Sequence, residues 1–184
     1  MPLYAFIILP VGWVVWMVPF VLVRLRQTKQ APTKIDRRAR WGIVLVGLSY
    51  AALFQTRFWI ADLPVWRTAL SLVFFILASA LSWGATRALG RQWRIDAGLN
   101  ADHELVMSGP YRLVRHPIYT SMLCMFCATG FLLTPLPILF AGLIVCVIGT
   151  EIRVRIEDRL LRERFGDGFR RYQNSVAAYI PFIR

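Results

Sequence analysis

The 184-residue chain is 57% hydrophobic and 17% charged, with a mean hydropathy of +0.53, yet its 22 Lys and Arg against 10 Asp and Glu give a formal charge of +12. A water-soluble domain runs at about 45–50% apolar and about 25% charged, so apolarity and charge must be segregated along this chain. That excludes a disordered protein, a secreted disulfide scaffold and an ordinary cytosolic enzyme. A nucleic-acid binder would share the charge but not the long uncharged runs, and no nucleic-acid partner is expected.

In chain order, Leu3 to Val23 is a mostly apolar stretch without charge. At about 1.5 Å rise per residue it can cross a hydrocarbon core of about 30 Å. Its basic flank follows it and its apolar stretch is long, so it reads as a membrane segment, not a cleavable signal. Trp41 to Thr56 is the second run, Leu63 to Thr86 the third, interrupted by Arg67. Ile118 to Thr134 and Leu136 to Thr150 flank a Pro135–Pro137 turn and predict a tight helical hairpin. The expected fold is all-α: a polytopic membrane bundle of five transmembrane segments, with residues 1–101 as a three-helix part and residues 102–184 as the cofactor-binding part of one integrated domain.

Of the 22 basic residues, 20 lie between runs one and two, between three and four, or after five. Arg57 and Arg67 are the exceptions. The positive-inside rule makes the crowded side cytoplasmic and places the N-terminus outside. Most of these charges need no task beyond topology and anionic headgroups, and the 24–40 loop reads as a solvated connector. Cys124, Cys127 and Cys146 fall inside apolar runs, where small buried thiols are expected; no metal site and no structural disulfide are implied. No Gly-rich nucleotide loop is present in the sequence, so a cofactor site must be built from the membrane helices and their cytoplasmic ends.

Two segments carry more than topology. In residues 102–121, Ser108-Gly109-Pro110 predicts a turn into a short helix, and Pro117 opens the next helix with Arg115 and His116 at its N-terminal mouth. A helix N-terminus is a natural seat for a carboxylate. Tyr111, Arg115, His116 and Tyr119 converge there, although the same residues also make an interfacial anchoring belt. In the second segment, Glu151 to Phe165 extends the fifth run as a charged helix. Glu151–Arg155 and Asp158–Arg162 are i,i+4 pairs that account for charge as solvated surface. Arg153 and Glu157 share one face close to the membrane boundary, where a charge needs a partner or a task. The aromatic and basic residues of 169–182 read as an interfacial return.

Leu105-Val106-x-Ser108-Gly109-x-Tyr111 and Arg115-His116-Pro117-x-Tyr119, followed by Arg153-x-x-x-Glu157-Asp158-x-x-Leu161-x-x-x-Phe165-Gly166 with Tyr172, Val176 and Ile180-Pro181, resemble the isoprenylcysteine carboxyl methyltransferase family. The resemblance implies an integral membrane enzyme using S-adenosylmethionine on a lipophilic or lipidated acceptor. His103, Glu104, Leu105, Val106, Tyr111, His116, Pro117, Ile118, Tyr119 and Glu157 would hold the cofactor, and Arg153 would face the acceptor. Ser121 stands where a glycine is common, and Glu157-Asp158 where two glutamates are. A bacterial or archaeal-type cell membrane, with the site facing the cytoplasm, is the expected location. Phospholipid or small-amine N-methylation on the same scaffold, a nicotinamide-dependent membrane reductase, and a non-enzymatic membrane scaffold are the alternatives.

Overall fold

The computed structural model describes residues 2–26, 34–93, 98–99 and 104–180. Each apolar run becomes a helix: α1 (Ala5–Arg26), α2 (Ala39–Leu53), α3 (Val65–Leu89), α4 (Pro117–Leu133) and α5 (Leu136–Phe165), followed by the short amphipathic α6 (Asp167–Ser175). The helices α1, α3 and α5 are long and apolar enough to cross a membrane, whereas α2 and α4 have 15 and 17 residues. Large apolar side chains such as Ile7, Val14, Ile76 and Ile144 stand 60–68% exposed on these helices. The protein is an integral membrane protein, and those outward faces are what lipid contact requires.

Two bundles of contact hold the helices. In one, Trp16, Phe20 and Phe75 of α1 and α3 pack with Met125, Ala128 and Leu132 of α4. The indole nitrogens of Trp13 and Trp16 donate to Thr129 Oγ1 (3.3 Å) and Ser121 Oγ (3.2 Å). Ser121, in the place of a glycine, thus receives a helix-to-helix hydrogen bond. In the other bundle, α2 lies along α5 at the crossing of Gly42 and Gly149. A Cβ on Gly42 would stand 2.5 Å from the Gly149 carbonyl oxygen and 2.6 Å from Arg153 Cγ, so this contact requires glycine. Of the first three helices, which carry no diagnostic motif, α2 therefore reaches Arg153 directly.

The hairpin turn at Thr134-Pro135 matches the sequence expectation: Pro135 and Pro137 sit where a helix start tolerates a missing N–H. Arg67 closes that turn. Its side chain is 6% exposed and donates to the carbonyls of Phe131 (2.9 Å), Gly130 (3.3 Å) and Thr134. The Gly130 carbonyl also accepts from the backbone N–H and Oγ1 of Thr134 (3.0 and 3.2 Å), so the guanidinium adds donors at the end of α4, where the carbonyls' partial negative charge suits a cation.

The connector of residues 24–40 is corrected in part. Lys34–Ile35 forms a two-residue strand, β1, antiparallel to β2 (Gly98–Leu99). Backbone pairing between segments about 60 residues apart leaves no signature in side-chain periodicity. At the other end, α5 runs unbroken through its charged half. Thirty residues at about 1.5 Å each make it about 45 Å long, about 15 Å more than a hydrocarbon core of about 30 Å, so its charged end extends beyond the hydrocarbon.

Candidate functional site

The site assembles where the start of α4 meets the charged half of α5. Gly109 adopts a positive φ of 59°, which turns the chain into the short 3-10 turn Gly109–Arg112. Pro117 then opens α4 with His116 as its N-cap residue. The chain after α6 returns across this junction as a strap. The backbone N–H groups of Arg115 and His116 donate to the carbonyls of Ala177 and Ala178, both at 2.8 Å, and Thr120 Oγ1 donates to the Tyr179 carbonyl at 2.7 Å. Tyr172 locks the base of the strap by donating to the Tyr111 carbonyl at 2.6 Å.

Held this way, Arg115 and His116 point at α5. His116 Nε2 lies 2.7 Å from Asp158 Oδ1, and His116 Nδ1 lies 3.5 Å from Glu157 Oε2. Arg115 Nη2 and Gln173 Nε2 donate to Asp158 Oδ2 at 3.1 and 3.2 Å. On the neighbouring face, Arg153 Nε donates to Tyr119 Oη at 2.6 Å, and Tyr119 in turn donates to Glu157 Oε1. Arg153 Nη2 is also 3.4 Å from Glu157 Oε1 and its guanidinium lies over the Tyr119 ring, 5.5 Å from the centroid. One continuous network therefore joins Arg115, Asp158, His116, Glu157, Tyr119 and Arg153.

Exposure singles out one member. The side chains of Arg115, His116, Arg153 and Asp158 are 7–9% exposed, while that of Glu157 is 24% exposed. Glu157 is the carboxylate a ligand can reach. Burial opposes its charge, but His116, Arg153 and Tyr119 outweigh that and hold it below the usual carboxylate range. Asp158 behaves likewise, burial being overcome by His116 and Arg115. Burial pulls His116 down, yet its two carboxylate neighbours push it up to about 9. Burial raises the Tyr111 phenol well above its usual range and nearby Glu157 adds to the rise.

The expected residues do not all meet. His116, Tyr119, Arg153 and Glu157 form the network; Tyr111 and Pro117 are buried beside it. Ile118 turns the other way, into the Trp16–Phe20–Trp93 cluster. Glu104 is exposed and its N–H faces Gln92 Oε1 at 3.3 Å; Leu105 and Val106 are half-buried. His103 lies outside the described residues, as do Pro181 and Phe182.

One reading is overturned. Asp158 is 6% exposed and serves Arg115, His116 and Gln173, while Arg162 donates to Gln173 Oε1 at 3.0 Å. It is no solvated partner of Arg162, because the strap and the 111–116 turn cover that face of α5. Glu151–Arg155 does form, at 2.6 Å on the exposed side, and Glu151 also accepts from Tyr179 at 2.8 Å. At the mouth of α4 a carboxylate, the chain's own Asp158, is held by the side chains of Arg115 and His116, whose backbone N–H groups donate to the strap.

Residues 66–168 match the family model described as phospholipid methyltransferase. The chain is 28% identical over 121 residues to protein-S-isoprenylcysteine O-methyltransferase A of Arabidopsis thaliana, covering 64% of this chain and 61% of that protein. A protein-S-isoprenylcysteine O-methyltransferase of Tribolium castaneum is 28% identical over 171 residues, 89% of this chain and 60% of the relative. Methanethiol S-methyltransferase 1 of Bradyrhizobium diazoefficiens is 36% identical over 74 residues, 40% of this chain and 25% of the relative. The chain thus spans about three fifths of the length of the first two of these relatives, and the resemblance read from its motifs is borne out by them. With more than half of its residues inside the family match, the chain belongs to the phospholipid methyltransferase family.

Proposed function

We propose that this protein is a membrane methyltransferase that moves a methyl group from S-adenosylmethionine to the carboxylate of a lipophilic acceptor resembling a prenylated cysteine. The observation that carries the reading is the Arg153–Tyr119–Glu157 relay, a cation and a reachable carboxylate side by side where an apolar helix emerges from its spanning segment. The isoprenylcysteine O-methyltransferases among the relatives support the same acceptor class.

The donor set suits such a cofactor. Glu157 offers lone pairs to an ammonium or to ribose hydroxyls, His116 offers a donor to a carboxylate, and Tyr119 and Tyr111 offer ring faces beside a cation. When bound, S-adenosylmethionine supplies a methyl group made electrophilic by the sulfonium. A carboxylate acceptor, with a reference pKa of about 3.3–4.3, is already a nucleophile at neutral pH. The protein then needs to orient and desolvate it, which Arg153 does through charge-assisted hydrogen bonds while Tyr119 holds the guanidinium still. No general base is required.

That point separates the two acceptor classes. An ammonium acceptor must lose a proton before attack. The nearby candidates are His116, held cationic, and Glu157, held below its usual range and already accepting from three donors. At neutral pH His116 already carries its proton and Glu157 is a weak base, so neither is available to take one, which favours a carboxylate over an amine.

Five membrane segments, with the N-terminus outside and the site on the cytoplasmic side, complete the proposal. The placement of 20 of 22 basic residues supports that orientation. The test is to incubate the purified protein in lipid nanodiscs with deuterated-methyl S-adenosylmethionine, an S-farnesyl cysteine and phospholipid. The proposal predicts label in a product that mild base releases as methanol. Label in a base-stable phospholipid headgroup would overturn the acceptor assignment.

A further inference from the structure

His116 stands between two carboxylates on its two ring nitrogens, Asp158 at Nε2 and Glu157 at Nδ1. A neutral imidazole has one donor and one acceptor nitrogen. With the proton on Nε2, a bare Nδ1 lone pair would face Glu157. With the proton on Nδ1, a bare Nε2 would sit 2.7 Å from Asp158. Both tautomers place a lone pair against a carboxylate, and the doubly protonated ring satisfies both sides. The two contacts are unequal: the 2.7 Å bond commits Nε2 to Asp158, while Nδ1 at 3.5 Å is loosely held beside the reachable carboxylate.

We propose that Asp158 is a positioning residue that sets the donor state of His116, committing Nε2–H to itself and leaving the Nδ1–H of an imidazolium as the donor for the cofactor's carboxylate. The inference rests on the S-adenosylmethionine reading above. Asp158 does not touch the ligand in this account. It acts through His116 and is itself fixed by Arg115 and Gln173. The other groups facing the imidazole are the Tyr119 ring, 5.8 Å away, and Arg153 through Glu157. Arg153 opposes the imidazolium and the two carboxylates support it, so removing one carboxylate lowers the pH at which His116 loses its proton. An opposite charge at this range shifts a titration by about 1–3 units.

The experiment is calorimetric binding of S-adenosylhomocysteine, which keeps the carboxylate and does not react, to the full protein in detergent at pH 6 and pH 8. Asp158→Asn is compared with wild type as a ratio of Kd values, which cancels titration of the ligand's own amino group. With the wild-type His116 midpoint at about 9 and a loss of about two units, the ratio is near one at pH 6 and about tenfold at pH 8. An equal ratio at both pH values would mean a merely structural role and would overturn the inference.

His116→Gln keeps a donor that does not titrate, and it serves if Asp158→Asn fails to fold. The Kd of wild type relative to His116→Gln should rise about tenfold from pH 8 to pH 10, as the imidazolium is lost, and a constant ratio overturns the inference. Absence of binding by wild type at any pH would overturn the cofactor reading and this inference together. Binding whose pH dependence ignores Asp158 overturns this inference alone.

Discussion

Gly42→Ala tests whether α2 belongs to the active site or merely packs beside it. The added Cβ would lie 2.5 Å from the Gly149 carbonyl oxygen and 2.6 Å from Arg153 Cγ. Carbon atoms rest at about 3.5–4.0 Å; the Gly149 carbonyl is backbone, so α2 must retreat from α5, and the Arg153 side chain packed at the same point must shift by about 1 Å as well. Overpacking of this kind costs about 1–3 kcal/mol of stability. Moving the guanidinium also stretches the 2.6 Å bond to Tyr119 and the 3.4 Å contact with Glu157, and a misplacement of about 1 Å at a reacting group can cost about 100-fold in rate. The expected outcome is a fall of about 10- to 100-fold in kcat/KM for the acceptor, with S-adenosylhomocysteine affinity within about threefold of wild type. Methyl transfer in nanodiscs and calorimetry read the two quantities, and thermal unfolding reports the packing cost. A destabilised protein whose folded fraction turns over at the wild-type rate would refute the idea that this glycine contact places Arg153.

Tyr119→Phe removes the hydroxyl that bridges Arg153 and Glu157 while keeping the ring; turnover per folded molecule should fall about tenfold, the rate equivalent of about 1.4 kcal/mol, and the buried Arg153 Nε–H left without its acceptor should cost about 1–3 kcal/mol in unfolding. Arg67→Met removes the guanidinium donors to the carbonyls of Phe131 and Thr134, while Gly130 keeps its bonds from Thr134. It should cost about 1.5–3 kcal/mol in reversible unfolding, with activity per folded molecule intact, because the hairpin turn and Glu157 lie toward opposite ends of α5. Stability should also depend on alkaline pH. His116 binds its proton more tightly in the folded protein, at about 9 against a reference of 6.5. Its contribution, roughly 3 kcal/mol, is whole below about pH 6.5 and is lost as pH rises to about 9. A chemical-denaturation series from pH 6 to pH 10 checks this, and His116→Gln should flatten it.

The apolar runs were legible because a membrane helix must satisfy its backbone internally and present uncharged side chains to lipid, two demands that act locally on the sequence. The N-terminal mouth was legible from Pro117, whose missing N–H suits a helix start, and the charged half of α5 from its i,i+4 spacing of charges. Arg153 and Glu157 stood out because i,i+4 spacing puts them on one face, and that face proves to be the one Tyr119 meets. Asp158 was misread by the same rule, which supplied Arg162 as a sufficient local partner. Its actual partners, Arg115 and His116, lie more than 40 residues away and are delivered by a turn. Gly42 and the strap at Ala177 and Ala178 act through backbone approach and carbonyl groups, which side-chain patterns do not encode. Arg67 looked like an interruption because the carbonyls it caps belong to another helix.

The division of labour between the two central charges is the claim most open to direct measurement. Steady-state KM values for S-adenosylmethionine and for an S-farnesyl cysteine should be determined in wild type, Glu157→Gln and Arg153→Gln. The account predicts that Glu157→Gln raises chiefly the cofactor KM and Arg153→Gln chiefly the acceptor KM, each by about tenfold or more for loss of one charged hydrogen bond. Equal effects of both variants on both substrates, or wild-type values in either variant, would contradict it.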